Sequence, residues 1–224
     1  MLNAHPVTID KMKQYQYILL DWDGNLAKTL DIWLAALKAP LIKRGLSFAD
    51  EEIGANFTIF KERMESLGIT DVDAMIAEAD EIATREVPNV ELYPDAITTL
   101  EALHKAGKKI ALVTTSRHDQ IAPLLAKYEL QGWFDEVVCG DDVSHHKPHP
   151  GPIEKALELF GAKKEEAVMV GDSASDIVAA TNAGVDSILF FPPQHDKFYD
   201  IEKLKKLQPT HIIENFIDIV RIAA

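Results

Sequence analysis

The sequence predicts an α/β fold, a doubly wound parallel sheet carrying an inserted α-helical domain, and three observations predict it. The short apolar runs are continuous and do not alternate with polar residues, as in parallel strands covered on both faces. Segments of helical period separate these runs, which is the alternation that builds such sheets. One long stretch, residues 29–92, carries helical patterns and no strand signal.

Taken in order, Tyr17-Ile18-Leu19-Leu20 is the first strand and ends at Asp21. The following stretch holds three helical patterns, Ile32 to Arg44, Ile53 to Leu67 and Val72 to Val87, and Ser47/Asp50 and Thr70/Asp73 have capping-box spacing before two of them. A long crossover packed on the sheet is the alternative, but three helices exceed what one crossover requires. The division is therefore a core of residues 1–28 and 93–224 with a helical cap domain over residues 29–92. Ala96 to Ala106 is a helix with Ile97, Leu100 and Leu103 on one face and Gly107 as its stop. Lys109 to Val113 is the second strand, ending at Thr114, and Glu136 to Cys139 the third, ending at Gly140. Pro152 to Phe160 is a helix closed by Gly161. Ala167 to Val170, Ser187 to Phe191 and His211 to Ile213 complete the strands, with a helix from Asp176 to Ala183 ending at Gly184.

Length and composition bound the function. A chain of 224 residues suits one domain with a modest insertion, and its 47% hydrophobic and 26% charged residues are ordinary for a globular enzyme. Cys139 is the only cysteine, so no intrachain disulfide can form. The net charge of −13 would repel nucleic acid and anionic membrane, and both are disfavoured as partners. No apolar run has the length of a bilayer span, and residues Met1 to Gln16 lack the apolar stretch of a signal peptide, so the expected compartment is the cytoplasm.

Ligands of open α/β sheets bind outside the carboxyl ends of the strands, where the unusual residues of this chain fall. Asp21-Trp22-Asp23-Gly24-Asn25 follows the first strand and Thr114-Thr115-Ser116-Arg117 the second. His146-Lys147-Pro148 comes a few residues after the third, and Gly171-Asp172-Ser173-Ala174-Ser175-Asp176 after the fourth. Four carboxylates gathered in one cleft need a cation among them. Lys147 supplies one charge, and hard oxygen ligands without histidine or thiol suit Mg²⁺. Such a pocket fits a phosphoryl group, whose transfer asks mainly for in-line positioning and positive charge on its oxygens. A strand-end carboxylate can attack phosphorus, and a second one two positions on can move the leaving-group proton. The Thr114 hydroxyl and Lys147 can hold the phosphoryl oxygens.

Asp21-x-Asp23-Gly24, Thr114 after a strand, Lys147-Pro148 and Gly171-Asp172-x3-Asp176 resemble, in the same order, the four motifs of the haloacid dehalogenase-like superfamily. The likeness runs from about Tyr17 to His211, the helical insertion is similar to that superfamily's C1 cap, and Tyr93-Pro94-Asp95 resembles the return segment of phosphoglycolate phosphatase-like members. The resemblance implies an Mg²⁺-dependent phosphatase acting on a small phosphorylated metabolite through an aspartyl-phosphate. By position, Asp21 would be the nucleophile and a metal ligand, and Asp23 the acid/base, its carbonyl touching the metal. Asp172 would be a ligand, with Asp176 as a further ligand or a support for it or Lys147. Thr114 and Lys147 would hold the phosphoryl group, with Thr115, Ser116 and Arg117 as substrate contacts. Members that cleave carbon–halogen bonds lack the second aspartate, so Asp23 favours phosphate chemistry. A sugar phosphomutase similar to β-phosphoglucomutase, or a non-catalytic member of the fold, are the alternatives.

Two positions depart from the family pattern. Asn25 stands where Thr is usual and is expected to satisfy the turn with its amide. Lys28 stands where an acidic residue is common and is expected to contact an acidic substrate. His145, His146 and His149 read as loop histidines, Cys139 as a buried apolar residue, and Trp33, Phe57 and Phe60 as core of the helical insertion.

Overall fold

A computed structural model describes residues 14–223. Residues 1–13, assigned above to the core and read as free of a signal peptide, lie outside the described residues. Six parallel strands form one sheet: β1 (Tyr17–Leu20), β2 (Lys109–Val113), β3 (Glu136–Val138), β4 (Ala167–Gly171), β5 (Asp186–Phe190) and β6 (His211–Ile213). Their order is β3-β2-β1-β4-β5-β6. β1 lies at the centre, with Leu20 beside Leu112 of β2 and Val170 of β4. The chain runs outward in opposite directions from that pair, so the crevice between the ends of β1 and β4 is the topological switch point.

Both faces of the sheet are covered. Ile18 and Leu20 join Leu100, Leu103, Ile110 and Leu112 in one layer, which packs under α5 (Ala96–Lys105), α6 (His118–Lys127) and α10 (Asp218–Ala223). Leu19 and Met169 face the other way, with Ile153 and Ala156 of α7 (Gly151–Phe160) and Ala179 and Ala180 of α8 (Ala174–Ala183). This two-sided burial is why the strands read as unbroken apolar runs. The sequence signals for α6, α10 and the short α9 (Ile201–Lys205) are weak. α6 carries Pro123 in its interior, and α9 and α10 are of one or two turns.

Between β1 and β2 the described chain forms α1 (Leu30–Lys43), α2 (Asp50–Gly54), a 3-10 turn Phe57–Ile59, α3 (Phe60–Ser66) and α4 (Val72–Glu86). The single helix expected from Ile53 to Leu67 is thus broken into shorter pieces. The two capping boxes do not form: α2 starts from Ala49 and α4 from Asp71, neither with a side-chain cap bond. The helices instead gain their stability from packing, with Leu34, Leu37 and Leu41 of α1 against Met75, Ala79 and Ala83 of α4 in one cluster. That cluster continues into the sheet domain through Ile177, Leu189, Phe191 and Phe198. The chain leaves and re-enters the sheet domain at adjacent points, where Ala27 and Leu92 form an antiparallel bridge. The Tyr93 amide donates to the Leu26 carbonyl at 3.0 Å there.

Candidate active site

The switch point collects charge. Lys147 is buried, and its Nζ lies 2.8 Å from Asp21 Oδ1, 2.6 Å from Asp176 Oδ1 and 3.0 Å from the Val113 carbonyl. Asp176 is further held by the Ser173 backbone amide and hydroxyl, both donating to Oδ2 at 3.2 and 2.7 Å. Asp172 is different: its Oδ2 is buried and has no hydrogen-bond partner. Oxygens of Asp21, Asp172 and Asp176 all lie within 4.8 Å of one another. Gly24 allows this crowding. Its φ is +67°, and a Cβ there would stand 2.2 Å from Asp172 Oδ2.

Burial pushes the Asp21 carboxyl up to about 7, with Asp176 and Asp23 adding to the rise and Lys147 opposing it. Burial likewise lifts Asp172 well above the usual carboxylate range, helped by Asp176 and Asp21. For Lys147, burial favours the neutral amine, but Asp176 and Asp21 outweigh it and hold the ammonium. One buried ammonium among three buried carboxylates leaves negative charge in excess, which is the condition that favours a bound cation. The donor set fits a divalent one: hard carboxylate oxygens, one of them an orphan whose burial is otherwise unfavourable.

Asp23 stands at the edge of this group and is held from two sides. The Trp33 indole N–H of α1 donates to Oδ1 at 2.9 Å, and the Ser116 hydroxyl to Oδ2 at 3.1 Å. Above the carboxylates opens a cavity of about 550 Å³ between the sheet domain and the helical insertion.

A sequence model of the haloacid dehalogenase-like hydrolase family matches residues 18–190. The chain belongs to the haloacid dehalogenase-like hydrolases. A pyrophosphatase of Oceanobacillus iheyensis is 31% identical over 207 residues, 92% of this chain and 95% of its own. A phosphoglycolate phosphatase of Photorhabdus laumondii is 31% identical over 221 residues, 93% and 92% of the two chains. A haloacid dehalogenase-like hydrolase of Streptococcus pneumoniae superposes with a TM-score of 0.77 at 18% identity, over 92% of this chain and 97% of that one, a likeness of fold.

Of the residues singled out from sequence, Asp21, Asp23, Lys147, Asp172, Thr115, Ser116 and Arg117 line the cavity of this hydrolase. Asp176 lies just beneath, bonded to Lys147. Thr114 is not on the cavity wall: it is buried, and its hydroxyl accepts the Ser116 amide at 3.1 Å. Lys28 is not there either, since it pairs with Glu91 at 3.0 Å beside the Ala27–Leu92 bridge. Asn25 is fully buried and neither of its amide atoms has a partner, so it does not satisfy the turn. Thr29 does so, accepting the Gly24 amide at 3.2 Å. Trp33 and Phe57 meet the expectation of insertion core in part: both pack against the insertion's cluster but also face the cavity, and of the three only Phe60 is fully interior. Cys139 is buried as expected, and His145 and His149 stack on each other at 4.8 Å.

Sequence reasoning missed Tyr199, Glu51 and Asp80, which also line the cavity. The Tyr199 phenol lies beside Asp172 and is raised well above its ordinary pKa, first by burial and then by that carboxylate. Nothing local marks these three positions. Ser173 and Ser175, whose hydroxyls lie 2.9 Å apart on the cavity wall, sit inside the Asp172–Asp176 motif and could have been assigned from it.

Proposed function

We propose that this hydrolase is an Mg²⁺-dependent phosphate monoester phosphatase that works through an aspartyl-phosphate on Asp21. The observation that carries the reading is the Asp21–Lys147–Asp176 ion-pair set beside the partnerless Asp172 oxygen, at the sheet's switch point. Asp21 and Asp172, with the Asp23 backbone carbonyl, would hold Mg²⁺, and Asp176 would hold Lys147. The cation supplies positive charge that keeps Asp21 ionised and neutralises the phosphoryl oxygens. Lys147 adds a fixed charge on the same oxygens, and Thr115 and Ser116 offer hydroxyl or amide donors at the cavity wall. Asp21 then attacks phosphorus in line with the leaving oxygen, and Asp23 delivers the proton to that oxygen. Once the alcohol has left, Asp23 takes a proton from the water that hydrolyses the acyl-phosphate. The Ser116 hydroxyl can donate to the carboxylate or accept from the acid, so it supports both states.

Residues 29–92 act in this reading as a cap domain over a core of residues 14–28 and 93–223. The paired crossing at Ala27 and Leu92 supports it, as does the cavity lying between the two parts. The test is phosphate release from a panel of phosphate monoesters with and without Mg²⁺. Asp21→Asn is expected to keep its fold and lose at least about a thousandfold in kcat, as removal of a nucleophile does. Comparable turnover by that variant would overturn the mechanism. Stoichiometric release of inorganic phosphate distinguishes hydrolysis from transfer to a second sugar hydroxyl.

A further inference from the structure

The cavity is far roomier than a phosphoryl group requires. About 550 Å³ falls in the range of roughly 300–1,000 Å³ that takes a drug-sized ligand. Much of its wall is apolar and aromatic, built by Leu30, Trp33, Leu37 and Phe57 from the insertion and Tyr199 and Leu204 from the sheet domain, with Trp33 and Tyr199 reaching from the carboxylates outward. Only two charged side chains of the insertion reach it, Glu51 and Asp80, and both are acidic. Neither has an ion pair among the described residues, and partial burial lifts the Asp80 carboxyl.

No cation of the insertion lines the cavity. Lys38, Lys43, Arg44, Lys61 and Arg63 are paired on the outside with Asp50, Glu78, Asp71, Asp73 and Glu52. Of the sheet domain's cations at the rim, Arg117 is paired with Asp119 at 2.8 Å and Lys203 lies 3.8 Å from Asp200. A substrate with a second anionic group on its leaving side would therefore meet two carboxylates across an apolar wall, while Arg117 and Lys203 at the rim are already paired and His146 stands beside Lys147 on the sheet-domain side. Such an arrangement selects against that group. A flat apolar body would pack on Trp33, Phe57 and Tyr199, and a protonated amine at its far end would meet Glu51 and Asp80.

We propose that the cavity takes phosphate monoesters whose leaving group is an apolar or aromatic body ending in a protonated amine, and that it rejects leaving groups carrying a second anion. The proposal rests on the phosphatase reading and specifies its substrate class. It sets this chain apart from what the names of its pyrophosphatase and phosphoglycolate phosphatase relatives describe.

Three aryl phosphates with nearly equal leaving-group chemistry test it: 4-(2-aminoethyl)phenyl, 4-ethylphenyl and 4-(2-carboxyethyl)phenyl phosphate, assayed with Mg²⁺ beside pyrophosphate and phosphoglycolate. The expected order of kcat/KM is amine, ethyl, carboxylate, with about tenfold or more between first and last, the effect of complementary against opposing charge. Combined Glu51→Gln and Asp80→Asn is expected to bring the amine and carboxylate esters within about twofold, the remaining electrostatic difference being small. Both side chains are solvent-accessible, so the variant folds. Equal rates on the three aryl esters, a reversed order, or faster turnover of pyrophosphate or phosphoglycolate than of any aryl ester would each overturn the substrate class while leaving the phosphatase standing. Failure of all five, together with 4-nitrophenyl phosphate, would sink the phosphatase reading and the proposal with it.

Discussion

At the scale of single residues, the catalytic proposal turns on how two side chains are held. Asp23 is fixed by one donor from the insertion, Trp33, and one from the sheet domain, Ser116. Trp33→Phe keeps the aromatic body and removes the N–H, freeing the carboxyl to rotate. If Asp23 delivers the proton, the loss should depend on the leaving group. About tenfold in kcat is expected for an alkyl ester and little for 4-nitrophenyl phosphate, whose departing oxygen needs no acid. A uniform loss across leaving groups would show that Trp33 only packs. Asp172 is held by the opposite means, an oxygen with no partner at all. Asp172→Asn removes a charge that burial, Asp176 and Asp21 disfavour more than Tyr199 and Lys147 favour it. Without divalent cation the variant should therefore melt no lower than the parent. Mg²⁺ should raise the parent's Tm, by an amount equivalent to about 2.7 kcal/mol at a hundred times Kd, and leave the variant unmoved.

At the scale of elements, α2 meets the sheet domain through Gly54. A Cβ there would lie 2.5 Å from the carbonyl oxygen of Phe198, the residue just past the 3-10 segment Pro193–Lys197 that follows β5. Backbone cannot yield as a flexible side chain would, so Gly54→Ala must shift α2 outward and lift one wall of the cavity. A loss of about 1–3 kcal/mol is expected from this overpacking, measured by denaturant midpoint. KM should rise more than kcat falls, because the reacting carboxylates follow directly on β1 and β4, away from α2. The reverse split would place α2 in the chemistry itself.

At the scale of the whole molecule, pH links the site to global stability through a residue remote from the motifs. His195 is fully buried, shares a 2.6 Å hydrogen bond with Tyr93, and stands edge-on to Phe190, Phe191 and Tyr199. Burial drives its pKa from 6.5 down to about 3. The folded chain thus keeps the ring neutral where the unfolded chain would protonate it. Its contribution is complete above pH 6.5 and is lost progressively as pH falls towards 3, on the order of 5 kcal/mol at most. Tm should fall across that window, and His195→Asn, less stable at neutral pH, should show a shallower fall. An equally steep fall in the variant would assign the acid sensitivity to the carboxylates alone.

The central strands were legible because they are buried on both faces and so wrote unbroken apolar runs, while the edge strands β3 and β6 are only partly buried and shorter. The catalytic loops were legible because a parallel sheet sends all its strand ends to one edge. That regularity let Asp21, Lys147, Asp172 and Asp176 be grouped from sequence alone. It could not say which carboxylate binds the lysine and which is left unpaired, since a bond of 2.6 Å depends on side-chain packing across four loops. Nor could it separate Thr114, turned inward, from Thr115 on the wall. The helical insertion was legible as helix, but its faces were not: Trp33 and Phe57 look like core by period and become cavity wall only where the insertion meets the sheet domain. The sequence by itself determined the sheet, the loop that carries each motif and the charge excess there. Tertiary structure alone decided what faces that charge, because Glu51, Asp80 and Tyr199 come from segments far apart along the chain. Their shared cavity exists only once those segments pack together.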